Sequence, residues 1–132
     1  MSPKEHPPSL DDIVAIAEAT MAALPERFKQ AVRSVPILVE EFPSEEIEAE
    51  MELETPFDLL GLYQGVDLGS KSTFDAPGDI DRIFLYRRPI LDYWCETGEE
   101  LSHVVAHVLI HEIGHHLGLS DADMEAIEAG AR

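Results

Sequence analysis

The stretch Leu101–Asp121, LSHVVAHVLIHEIGHHLGLSD, constrains this chain more than any other. It holds His111-Glu112-Ile113-Gly114-His115, an H-E-x-x-H, followed by Gly118 and Asp121. On a helix, residues four apart stand one above the other, so His111 and His115 share a face. Two imidazoles so placed can reach one metal ion, with Glu112 one position round and close enough to hold a water beside it. The rest of the chain must then build a floor for that helix or shape what it meets.

The helical reading has further support. Leu101, Val104, Val105, Val108 and Leu109 form an apolar stripe at helical spacing. Thr97-Gly98-Glu99-Glu100 has the form of a capping box, which predicts a helix start near Gly98. Glu99 and Glu100 would then lie in the first turn, where the helix dipole favours them. Gly118 stands at the far end, where a left-handed terminal residue is usually glycine. The frequent β-branched residues cost propensity, which favours a buried helix over a surface one.

Such a site needs three protein ligands and an open position for water. His111 and His115 are the first two candidates. The spacing H-E-x-x-H-x-x-G-x-x-D makes Asp121 the candidate third, and Gly118 would let the chain leave the helix sharply enough to bring it back. Asp121 or Ser120 can equally cap the helix that follows. Asp123 and Glu125 are reserve carboxylates. Histidines recur at 103, 107, 111 and 115, so a histidine-rich face has a generic explanation too. His103, His107 and His116 are expected to pack or to support the ligands. Glu112 is the expected general base and Zn2+ the expected cofactor.

The 132 residues suffice for one domain with a real core. A net charge of −18 repels phosphate backbones and anionic lipid, so neither nucleic acid nor membrane is an expected partner. A charge-selected substrate should be neutral or basic. The single cysteine, Cys95, excludes an intramolecular disulfide and reads as a half-buried small hydrophobe. No segment resembles a signal peptide or reaches membrane-spanning length, which points to the cytoplasm.

Residues 1–8 read as a flexible tail and residues 9–132 as one domain. A first helix is predicted over about Leu10–Arg33, interrupted at Pro25, and a first strand over Val35–Glu40 with Pro36 at a strand end or sheet edge. Residues 40–54 hold eight glutamates in fifteen positions and read as an acidic insertion, with a short helix from Ser44. Phe57–Val66 reads as a strand or a turn into one, and Gly69–Gly78 as a loop. Asp81–Arg88 is the clearest strand, stopped by Pro89. Ile90–Glu96 connects it to the long helix, and Ser120–Ile127 is a short capped helix.

The segment VLIHEIGHHLGLSDADM resembles the motif region of the small bacterial zincin-like metallopeptidases with a minimal zincin fold. LLGLYQG at Leu59–Gly65 and DRIFLYRRP at Asp81–Pro89 are similar to two other recurrent stretches of that family. The resemblance implies an α+β fold: a short mixed sheet, a packing N-terminal helix, an active-site helix and a short C-terminal helix. It implies His111, His115 and Asp121 as zinc ligands and Glu112 as base of a peptidase. By the same resemblance, strand 80–88 would be the sheet edge that binds a peptide or protein substrate by strand addition. Arg82, Arg87 and Arg88 would either bind a substrate carboxylate or pair with nearby glutamates. Tyr63, Tyr86 and Tyr93 are oxyanion-stabilising candidates without a spacing argument. The alternative to a peptidase is a zincin fold that binds metal or a partner with little catalysis.

Overall fold

A computed structural model describes residues 6–65 and 81–131. The predicted loop Gly69–Gly78 lies outside the described residues. The first helix, α1 (Leu10–Ala23), begins at a reciprocal cap. Ser9 Oγ accepts from Asp12 N at 3.1 Å, and Asp12 Oδ2 accepts from Ser9 N at 2.8 Å. α1 buries Ile13, Ala17 and Thr20. The helix predicted to run on to Arg33 is broken. Leu24 is extended because Pro25 follows, and a separate α2 spans Glu26–Ala31.

Among the described residues, three strands form one mixed sheet in the order β1-β3-β2, where β1 is Ile37–Glu40, β2 is Gly61–Gln64 and β3 is Arg82–Tyr86. β1 runs parallel to β3, with Ile37 opposite Ile83 and Val39 opposite Leu85. β2 runs antiparallel, with Gly61 opposite Leu85 and Tyr63 opposite Ile83. Side chains alternate across the pleat. Ile83 and Leu85 are fully buried on the inner face, where Ile37 and Val39 pack with them, while Leu38 of the edge strand β1 is exposed.

This order corrects the expectation that strand 80–88 is a free edge. β3 is the central strand, and its main-chain groups are committed to ladders on both sides. A substrate strand cannot add to it. Among the described residues, the sheet edges belong to β1 and β2. Arg87 and Arg88 are not strand residues either; they open α4 (Arg87–Thr97), with Pro89 inside its first turn. Arg87 Nη1 pairs with Glu41 at 2.9 Å, and its Nε donates to Pro8 O at 2.7 Å, fastening Pro8 to the sheet end.

The acidic stretch carries α3 (Glu45–Glu50), capped by Ser44 and anchored by buried Ile47. A 3-10 turn at Pro56–Asp58, capped by Thr55, leads into β2. Phe42 meets Phe57 edge to face with ring centroids 5.2 Å apart.

α5 (Leu101–Leu117) lies at the centre of the core. It buries Val104, Val105, Val108, Leu109, Ile110, Ile113 and Gly114. Each fully buried aliphatic side chain contributes about 1.5–3 kcal/mol. Gly61 lets β2 lie directly on this helix, because a Cβ there would fall 2.6 Å from Val108 Cγ1. The predicted capping box at Thr97 does not form. Thr97 is the last residue of α4, and its hydroxyl donates to Tyr93 O at 3.0 Å. Gly98, with φ 70°, ends α4 in the left-handed conformation, so α5 starts three residues later with Glu100 at its N-cap. Cys95 is exposed rather than half-buried. The last helix, α6 (Asp121–Ala131), packs back along α5.

Candidate metal centre on α5

With one flank of α5 committed to the core, the stripe His103, His107, His111 and His115 is left on its outer face. His111 is half-buried and His115 is exposed, their ring centroids 6.3 Å apart and edge to face. Glu112 sits beside them, turned toward β2. Its Oε1 accepts from Tyr63 N at 3.0 Å, while its Oε2 lies 4.0 Å from His115 Nδ1. One oxygen is thus tied to the edge strand and the other faces the histidines. Burial pushes the Glu112 carboxyl above the ordinary glutamate value, and the Tyr63 N–H and His115 oppose that shift without cancelling it.

Tyr63 is itself held firmly. Its ring stacks on His116 with centroids 4.0 Å apart, and its hydroxyl donates to Asp81 Oδ2 at 3.1 Å. His116 Nε2 lies 3.6 Å from the same oxygen. Burial first, and Asp81 second, push the Tyr63 hydroxyl well above its usual value. His116 therefore supports the strand that supports Glu112. Of the three tyrosines, Tyr63 is the one that touches this site through its main chain.

α5 ends at Gly118, whose φ of 72° is left-handed. Leu119 N donates to Gly114 O at 2.9 Å and Gly118 N to His115 O at 3.4 Å, so the last carbonyls of the helix are satisfied as the chain turns. Ser120 and Asp123 cap α6 reciprocally: Asp123 N donates to Ser120 Oγ at 3.1 Å, and Ser120 N to Asp123 Oδ2 at 3.2 Å. Asp121 is not the cap. It is the first residue of α6, it is exposed, and among the described residues its carboxylate forms no hydrogen bond or ion pair with another side chain. Asp123 is occupied as a cap, and Glu125 is exposed.

Further along α6, Met124 fills the space over Gly114, and Glu128 reaches the histidine stripe. Glu128 is 8% exposed, one of two buried polar or charged residues among the described ones. Its Oε1 is 2.9 Å from His107 Nδ1 and its Oε2 is 3.6 Å from His111 Nε2. The His107 and His111 rings are 4.1 Å apart, closer than His111 is to His115. One ligand atom from each of His107, His111 and Glu128 lies within 4.8 Å of the others, and this is the group of three potential ligands that the described residues assemble. Two imidazoles and a carboxylate are a donor set that suits zinc, so a cluster capable of chelating a metal ion is present.

Sequence reasoning named His111, Glu112, His115 and Asp121, and expected His107 only to pack or support. It did not name Glu128. A signal existed. Met124, Ile127 and Glu128 form one buried face of α6, and a carboxylate within an apolar stripe requires a partner. Asp121 lies seven residues before Glu128 and so shares that face, two turns nearer the His115 end.

A helix bearing H-E-x-x-H under a short mixed sheet, with acidic residues on a following helix, is the arrangement of a zincin. The chain matches the family model for zincin-like metallopeptidases over residues 32–131 and belongs to that family. No curated protein matches it. Among the described residues, no helix is long and apolar enough to cross a membrane.

Proposed function

We propose that this protein is a zinc-dependent peptidase in which His111, His115 and Asp121 hold the metal and Glu112 is the general base. The observation that carries the reading is the divided role of the Glu112 carboxylate. Its Oε1 is held by the main chain of β2, and its Oε2 is turned toward His115. A zinc ion held there would lower the pKa of a bound water to about 7 and polarise a carbonyl.

The chain's own residues account for the rest. Glu112 Oε2 accepts the proton of the attacking water and returns it to the leaving amine. Burial raises the basicity of that carboxylate, which makes it a stronger proton acceptor. The Tyr63 N–H fixes the other oxygen, so the carboxylate does not swing away. Among the described residues β2 is an edge strand, and it lies on α5, so a peptide laid along it would pass beside Glu112. The Tyr63 N–H already serves Glu112, so such a peptide must pair with the other outward groups of β2. Asp121 is free of capping duty and follows the turn at Gly118, which leaves its carboxylate available as a ligand. The acidic surface favours neutral or basic peptides.

A second reading has one observation in its favour. His107, His111 and Glu128 come together without Glu112, as a metal-binding protein with little catalysis would require. Glu112→Gln separates the two. A peptidase loses hydrolysis of a mixed peptide library while keeping its zinc. A binding protein shows no hydrolysis in the wild type to lose. Zinc content per chain tests the ligands in a Glu128→Gln background, where His111 has no carboxylate partner on the His107 side: about one in that parent, lost on adding His115→Ala and weakened on adding Asp121→Ala. Unchanged zinc on adding His115→Ala there would remove the proposed site.

A further inference from the structure

The cluster on the other side of His111 has a consequence of its own. A neutral imidazole has one nitrogen with a free lone pair, the other carrying the proton. His111 therefore ligates one ion at a time. Its Nε2 faces Glu128 Oε2 at 3.6 Å, and its ring leans on His107 rather than on His115. We propose that His107, His111 and Glu128 form a second seat for a divalent transition-metal ion, which competes with the His111–His115 site for His111. The competition rests on the peptidase reading; the seat itself does not.

The seat is built rather than incidental. Glu128 is buried, and its two oxygens are divided between the two imidazoles. It also borders a cavity of about 300 Å³ lined by Thr20, His103 and Ala106. His115 and Asp121, by contrast, are exposed and must be drawn together when an ion binds. An ion in the His107 seat lies on the opposite side of His111 from the Glu112–His115 pair and leaves that base without a partner. The seat is thus non-catalytic, and filling it withholds His111 from the peptidase site. The plainer reading is that His107 and Glu128 merely tie α6 to α5. That reading requires no ion binding once His115 and Asp121 are removed.

The test uses Co(II), whose visible absorption reports ligand type and geometry, on metal-stripped full-length protein. His115→Ala/Asp121→Ala is expected to bind one Co(II) per chain with a spectrum distinct from wild type. Adding Glu128→Gln, or separately His107→Ala, is expected to abolish it at concentrations that saturate the parent. Wild type is expected to bind one Co(II), not two. Glu128→Gln preserves size, and His107 is more than half exposed, so two independent variants with native circular dichroism guard against a folding artefact. A double variant that binds no Co(II) overturns the seat, and two Co(II) in the wild type overturns the competition. A seat that fails while wild-type Co(II) depends on His115 leaves the peptidase site standing. Wild-type Co(II) that depends on Glu128 but not His115 supports the seat and removes the peptidase ligands.

Discussion

The Tyr63 N–H donates to Glu112 Oε1 across 3.0 Å, joining residues 49 apart in the chain and linking an edge strand to the central helix. Glu112→Gln keeps an amide oxygen for this N–H, whereas Glu112→Ala leaves it without its partner. The metal-free Ala variant should be less stable than the Gln variant by about 1 kcal/mol in urea unfolding, the usual cost of a stranded donor in a partly buried place. Equal stabilities would mean that the bond does not hold strand to helix. Both variants should lose peptide hydrolysis.

Gly114, between the two motif histidines, should not tolerate alanine. Alanine is the better helix former by about 1 kcal/mol. A Cβ at 114, however, would collide with Sδ and Cγ of Met124, a side chain that is 1% exposed. Overpacking of this kind costs about 1–3 kcal/mol, so packing outweighs propensity. Gly114→Ala should destabilise the protein, and Met124→Ala in the same chain should recover part of the loss. A double-mutant cycle with no coupling would rule out this contact as the cause.

Gly118 faces a different constraint. A Cβ there meets nothing within 4 Å, so space is not the issue. Its φ of 72° is the issue, because an L side chain in that region costs about 1–2 kcal/mol. Gly118→Ala should lower stability by about 1 kcal/mol, and Gly118→Asn by less, since asparagine tolerates the left-handed region better. Asn and Ala variants of equal stability would place the cause elsewhere.

Tyr86 is 1% exposed, and burial, with Glu40 and Glu112 adding to it, pushes its hydroxyl up to about 12. The folded state then holds that proton more tightly than the unfolded chain, whose tyrosine titrates near 10. This contribution to stability is intact below pH 10 and falls as pH rises from about 10 to about 12. Tyr86→Phe should show a shallower alkaline loss of stability than wild type. In native protein, the ultraviolet absorbance rise near pH 10 should be the same size in wild type and Tyr86→Phe. A smaller rise in the variant would mean that Tyr86 ionises normally.

Much of this architecture is legible in local sequence. Ser9 with Asp12 and Ser120 with Asp123 mark helix starts, Ser44 caps α3, and Gly118 marks the end of α5, because caps and left-handed glycines act over three or four residues. Thr97-Gly98-Glu99-Glu100 misleads for a related reason. The same residues serve as a helix end, and α4 running through Thr97 prevents the threonine from adopting the extended cap conformation. The strand order was not legible. Alternation in Ile83–Tyr86 identifies a strand, but whether it has one neighbour or two depends on partners 18 to 24 residues away in β2 and 46 residues away in β1. Glu128 was missed because its contacts cross the hairpin between α5 and α6. Arg87 was ambiguous between substrate and glutamate until Glu41 was found beside it.

The middle strand of the sheet is also the last to be made. β1 and β2 leave the ribosome with no ladder between them, and neither can pair until β3 follows. α5, which packs on β2 and β3, emerges later still, whereas α1, which packs on β1, is made first. Every nascent chain therefore passes through an interval in which two strands present bare edges and β2 lacks the helix that covers it. The glutamates between β1 and β2 place like charge beside those bare edges, and charge of that kind opposes edge-to-edge pairing of one chain with another.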